Sequence, residues 1–262
     1  MSNNNTEYLC HIFNYAEDYL KNICPPNINL SKYLNNSKSF TSMNEICERL
    51  FVTLPNRNLM PNIIQFDKKR DKLNELLFNF DPISILSHYD APSLFAKFKE
   101  TFQIKNTNSP KNLWWQYTKS LISACQFLSN FENEKAFDEF ILLFSKNELS
   151  MAALPMLLAK EIYGLGFTLA CDFLKELGYT DYPKPDGHLV DIFSKLDICT
   201  DNVYEVYKHI IKMAEASRKS AYYVDKTFWL ICSGKYYLDD IQIPGMKDEF
   251  ISTCKAEITT AA

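Results

Sequence analysis

Apolar residues recur at three-and-four spacing along most of this chain, and the runs they form predict eleven helices: 7–22, 43–54, 69–78, 93–102, 112–130, 134–144, 150–163, 168–177, 189–196, 204–216 and 222–232. Polar or proline-bearing stretches, "NNNT", "CPPN" and "NTNSP", separate some of them. Several ends carry their own signals. Ser93 precedes "LFAKFKETF", Ser109-Pro110 precedes the helix of Trp114, and Ser233-Gly234 closes the helix of Phe228 and Trp229. No repeat recurs at a period of roughly 20 to 50 residues. The pattern predicts an all-α protein.

Composition fits that reading. The chain has 262 residues, 47% of them hydrophobic and only six of them Gly, enough for a large core and one or two domains. No apolar run approaches the roughly 18 to 20 uncharged residues of a membrane span, and "MSNNNTEYLC" lacks the basic and apolar regions of a secretory signal. The expectation is a cytoplasmic protein. Cysteines 10, 24, 47, 125, 171, 199, 232 and 254 are scattered, never two to four apart, and mostly adjoin apolar residues, which predicts buried thiols rather than a disulfide framework or zinc site. The formal net charge of -4 weighs against nucleic-acid binding, which rests on Lys and Arg neutralising phosphates. The charge is unevenly spread, however. Residues 97–119 hold five Lys against Glu100, and residues 208–226 hold five Lys or Arg against Glu215 and Asp225, while acid gathers around Glu132 to Glu139.

The stretch "KEIYGLGFTLACDFLKELGYTDYPKPDGHLVDIF", 160–193, concentrates the unusual features. Gly164 and Gly166 divide two helical runs. Their freedom at positive φ permits a sharp reversal, and their lack of side chains lets another backbone come close. The helix that follows starts with outward N–H groups of positive partial charge, suited to a phosphate. An αα-hairpin with a glycine stop explains the same residues. Downstream, Asp186 stands where a further helix begins, so its carboxylate is also explained as an N-cap.

With "YGLGFTLA" and "PKPDGH" in this order, Ala170 in place and twenty residues from Gly166 to Asp186, the segment 154–193 resembles the helix-hairpin-helix, Gly-Pro-Asp superfamily of DNA glycosylases, of the endonuclease III-like kind. The resemblance implies an all-α, two-lobed helical bundle with the active-site cleft between the lobes. One lobe would span 61–185, with the hairpin at about 150–177; the other would combine 1–60 with 186–262. It implies a DNA-binding hairpin of Gly164, Leu165, Gly166 and Thr168, and Asp186 as the catalytic aspartate. Bifunctional members carry a lysine two residues after the second glycine, where its amine forms a Schiff base with the sugar. Thr168 stands there, so a monofunctional enzyme of base-excision repair is expected, unless Lys184 serves instead. Many relatives hold an iron-sulfur cluster on four C-terminal cysteines; with only Cys232 and Cys254 in that region, no cluster and no other cofactor are expected.

Breaking an N-glycosidic bond develops positive charge on the sugar. A carboxylate beside the anomeric carbon stabilises that charge and orients or deprotonates the attacking water. Asp186 would do this, with His188 in support and Asp191 either nearby or in solvent. The target base must leave the duplex and stack against aromatic walls, for which Trp114, Trp115 and Trp229 are candidates among residues that otherwise read as core. Lys226 is a candidate phosphate contact. The expected partner is double-stranded DNA with a damaged or modified base, bound by a monomer. The competing expectations are a non-catalytic helix-hairpin-helix DNA-binding protein and a helical protein-interaction domain without DNA affinity.

Overall fold

A computed structural model of the protein describes residues 3–57, 59–105 and 109–261. Helix accounts for 68% of it, and the strands among the described residues are two residues long, so the fold is all-α. In chain order the helices are α1 (Asn3–Ile23), α2 (Ser31–Leu34), α3 (Met43–Thr53), α4 (Met60–Ile64), α5 (Phe66–Leu76), α6 (Pro82–His88), α7 (Ala91–Phe102), α8 (Leu113–Leu128), α9 (Glu134–Leu143), α10 (Glu148–Glu161), α11 (Phe167–Glu176), α12 (Gly187–Lys195), α13 (Val203–Ser217), α14 (Ala221–Ser233) and α15 (Lys247–Ala261). Strands β1 (Lys235–Tyr236) and β2 (Ile241–Gln242) pair antiparallel between α14 and α15.

The chain divides into two compact units, one of Met1–Lys38 with Leu174–Ala262 and one of Ser39–Phe173. The crossings fall in the extended segment 35–41 and inside α11, whereas the sequence reading draws them at 60/61 and 185/186. Helix α11 thus begins in the second unit and ends in the first.

In the first unit, α1, α12, α14 and α15 each send a fully buried phenylalanine inward. Phe228 lies at the middle, with ring centroids 6.3 Å from Phe13, 5.6 Å from Phe193 and 5.9 Å from Phe250. Burying each such ring contributes about 2 kcal/mol or more of hydrophobic free energy. In the second unit α8 is the central helix: Trp114, Tyr117, Leu121, Cys125 and Leu128 are buried along it, and the Tyr117 hydroxyl donates to the Phe51 carbonyl at 3.0 Å. Five of the eight cysteines are buried as expected, while Cys10, Cys24 and Cys199 are partly exposed.

Caps define most boundaries, and some differ from the sequence reading. Ser93 is not the N-cap of α7. Asp90 is, and Ser93 completes a capping box with it from the N3 position, because two Pro-tolerant positions intervene. Helix α8 is capped by Asn112, which accepts from Trp115 N at 3.1 Å, rather than by Ser109. Gly234 closes α14 at φ +62 as expected. The run "NNNT" is helical from Asn3 onward rather than a break, and residues 106–108 of "NTNSP" lie outside the described residues.

Candidate active site

The glycine turn of the hairpin lies within the second unit. Ile162 and Leu165 are buried and anchor the turn from below, so Leu165 presents backbone rather than side chain to the surface. Between them Gly164 reverses the chain at φ +76. A side chain at Gly164 has no room: its Cβ would stand 1.8 Å from Arg57 Nη1. Gly166 is exposed, and nothing lies within 4 Å of where its Cβ would be. Helix α11 then closes its first turn with Ala170 N donating to Gly166 O at 2.9 Å, and Ala170 is buried. Thr168 is partly exposed on that first turn.

Two cations from elsewhere in the unit hold the turn. Arg57, in the loop after α3, donates from Nη1 to Gly164 O at 2.7 Å and from Nη2 to Ser120 Oγ at 3.2 Å. Lys119 on α8 donates to the Tyr163 hydroxyl at 2.8 Å and lies over the Tyr163 ring at 4.1 Å. Tyr163 itself is 44% exposed, and its backbone N–H donates to Ser123 Oγ at 2.9 Å. Burial lowers the Arg57 pKa from its ordinary value, partly opposed by the Tyr163 phenol.

Asp186 lies in the first unit, at the end of a loop held at successive points. Gly178, at φ +96, packs against the backbone of Ser37 and Lys38. Thr180 O accepts from Tyr222 N at 2.8 Å, Tyr182 is buried, and Lys184 N donates to Asp225 Oδ2 at 2.7 Å. Asp225 is itself 1% exposed and paired with buried Lys175 at 3.1 Å. Two residues beyond Lys184, Asp186 caps α12: its Oδ1 accepts from His188 N at 2.9 Å and from Leu189 N at 3.3 Å. Its Oδ2 makes no hydrogen bond among the described residues, and the side chain is partly exposed.

The structure thus brings Lys184, Asp186 and His188 together where one loop enters α12, and Gly164, Gly166 and Thr168 together where one turn enters α11. Of the proposed aromatic walls, Trp114 is buried, its ring stacked 4.9 Å from Phe102. Trp115 is partly exposed beside Phe95 and Lys119. Trp229 belongs to the other unit and packs by Tyr237. Lys226 is not a surface phosphate contact. It is 6% exposed, 3.5 Å from Glu176, and ringed by Tyr222, Trp229 and Tyr237 at 5.2 to 5.5 Å. Asp191 pairs with Lys247 of α15, which holds its carboxyl below the ordinary value. Arg57 and Lys175 carry no sequence signal, and Lys119 and Asp225 show only as members of the charged runs 97–119 and 208–226, with nothing to single them out.

No protein-family model, no curated protein and no solved structure matches this chain.

Proposed function

We propose that the protein is a monofunctional DNA glycosylase that hydrolyses the N-glycosidic bond of a damaged or modified base extruded from duplex DNA. The observation that carries this reading is the state of Asp186. One carboxylate oxygen is fixed by two backbone N–H groups and the other makes no hydrogen bond among the described residues, twenty residues along the chain from Gly166, which is open on its side-chain face. In the reaction a water oxygen bonds to the anomeric carbon as the bond to the base breaks. Asp186 Oδ2 faces the positive charge growing on the sugar and takes the water's proton; the base leaves with the electron pair of the broken bond and takes a proton from solvent, to which Asp186 then releases the one it holds. Because Thr168 stands at the lysine position, the strand stays intact until the abasic site is opened chemically.

The test is incubation with a panel of damaged duplexes followed by alkali. Scission at one lesion, with intact strands before alkali and no borohydride-trapped adduct, is the expected result. Asp186→Asn keeps a side-chain oxygen for the cap, so it should fold as the parent does while losing about 100-fold or more in rate. If no lesion is cut, or Asp186→Asn cuts as well as the parent, the chemistry is refuted. Duplex binding that survives such a result would favour the non-catalytic DNA-binding alternative.

A further inference from the structure

The cations that hold the glycine turn have no carboxylate partner among the described residues. Arg57 spends its two hydrogen bonds on neutral oxygens, Gly164 O and Ser120 Oγ, and its Nε is buried without a partner. Lys119 reaches only the Tyr163 hydroxyl and the faces of Tyr163 and Trp115. Neither forms an ion pair with any carboxylate among the described residues. A guanidinium has five donors, so three of Arg57's remain unused. Partly buried charge is costly unless paired: Lys175 meets Asp225 and Lys226 meets Glu176, whereas Lys69, like Arg57 and Lys119, donates to a neutral oxygen, Ile64 O, and lies over the Trp114 ring. What sets Arg57 and Lys119 apart is their place, directly beside a turn that is exposed at Gly166 and flanked by the 44% exposed ring of Tyr163.

We propose that Arg57 and Lys119 are the charge of a backbone-binding site whose glycine turn is itself neutral, and that the missing anions are phosphates of duplex DNA. Gly166 lets the strand approach, Gly164 makes room for the Arg57 guanidinium that supplies a positive charge at the turn, and Lys119 supplies a second beside it, held in place by Tyr163. This rests on the DNA-binding part of the function proposed above and assigns the phosphate grip to two side chains outside the hairpin motif. It also accounts for how a chain of net charge -4 could bind a polyanion: the relevant cations are those without an acidic neighbour.

Duplex binding measured by fluorescence anisotropy across about 0.05 to 0.2 M salt decides this, because log affinity falls with log salt at a slope of about -0.9 per phosphate neutralised. An undamaged labelled duplex is the probe. Arg57→Gln and Lys119→Gln should each reduce the slope by about 0.9, and the double variant by about 1.8. Tyr163→Phe removes the brace but no charge and should leave the slope as in the parent. Slopes unchanged in both charge variants, or a parent that does not bind duplex, would overturn the proposal. If Arg57→Gln does not fold, Lys119→Gln, at a partly exposed position, carries the decision alone. The catalytic reading is judged separately: altered slopes with no lesion excised leave this inference standing without the chemistry, and excision with unaltered slopes does the reverse.

Discussion

The glycine turn and the Asp186 loop are both irregular segments between helices, yet they handle charge in opposite ways. The turn is braced by Arg57 and Lys119, which have no carboxylate partner among the described residues. The loop is braced by Lys175 and Asp225, 3% and 1% exposed, paired with each other and closed off from solvent. A buried ion pair is weak evidence of stability, since taking both charges out of water offsets most of their attraction. Its consequence here is positional: Asp225 Oδ2 accepts from Lys175 and from Lys184 N together, two residues before Asp186. Lys175 with Asp225 and Arg57 both fix backbone, but the loop's cation is matched by a carboxylate, whereas Arg57 and Lys119 are matched by none among the described residues.

The largest effect should come from breaking the closed pair. Lys175→Met leaves the Asp225 carboxylate buried with Lys184 N as its remaining described donor, and should cost about 3 to 5 kcal/mol in urea unfolding. Replacing both, as Lys175→Met with Asp225→Leu, should recover much of this. It should not recover all, because Lys184 N then loses its acceptor at about 1 to 3 kcal/mol. Lys119→Gln strands no carboxylate and should cost under about 1 kcal/mol. Should Lys119→Gln destabilise as strongly as Lys175→Met, the distinction between the two regions would not hold.

The two glycines of the turn offer a sharper test within one region. Gly164→Ala forces a side chain into the left-handed region, at about 1 to 2 kcal/mol, and pushes Arg57 Nη1 from the Gly164 carbonyl. It should therefore reproduce the DNA-binding loss of Arg57→Gln. Gly166→Ala meets open space, so its melting temperature should stay near the parent's, while its methyl group intrudes where a phosphate would approach. Normal duplex affinity in Gly166→Ala would mean that the strand does not approach by that face.

Much of this architecture was legible in the sequence. All eleven helices predicted from apolar spacing are present, with ends within four residues, because each has a buried stripe long enough to show a period. The elements that escaped lack one. In α15 only Phe250, Ile251 and Cys254 are buried among the described side chains, and its β-branched Ile and Thr residues weaken the helical signal. The two-residue strands β1 and β2 are too short to alternate visibly. At the candidate site the turn and the capping role of Asp186 could be read locally, since glycine pairs and N-caps act over three or four residues. Arg57 lies 107 positions from Gly164 and Asp225 lies 41 from Lys184, and contacts of that separation leave no periodic trace. Lys226 misled for a related reason: its neighbours in sequence are polar, but α14 turns it toward Tyr222, Trp229 and Tyr237.

The smallest effect concerns acid, and it separates the two regions by titration. Glu17 on α1 is another charge closed within the first unit. Burial alone would raise its pKa, but the Tyr223 hydroxyl at 2.6 Å, Lys219 at 2.9 Å and Lys21 together outweigh burial and hold it down at about 2. A carboxyl lowered in the folded state contributes stability that is present above its ordinary value of 4.5 and is lost as pH falls toward about 2. The stability gap between parent and Glu17→Gln should therefore be constant near neutrality and close across that window. The gap between parent and Arg57→Gln should stay flat over the same range, because the guanidinium remains charged throughout and has no carboxylate partner to protonate. If the Arg57 gap also closes in acid, a carboxylate is acting on that cation after all, and the case for an external phosphate partner weakens accordingly.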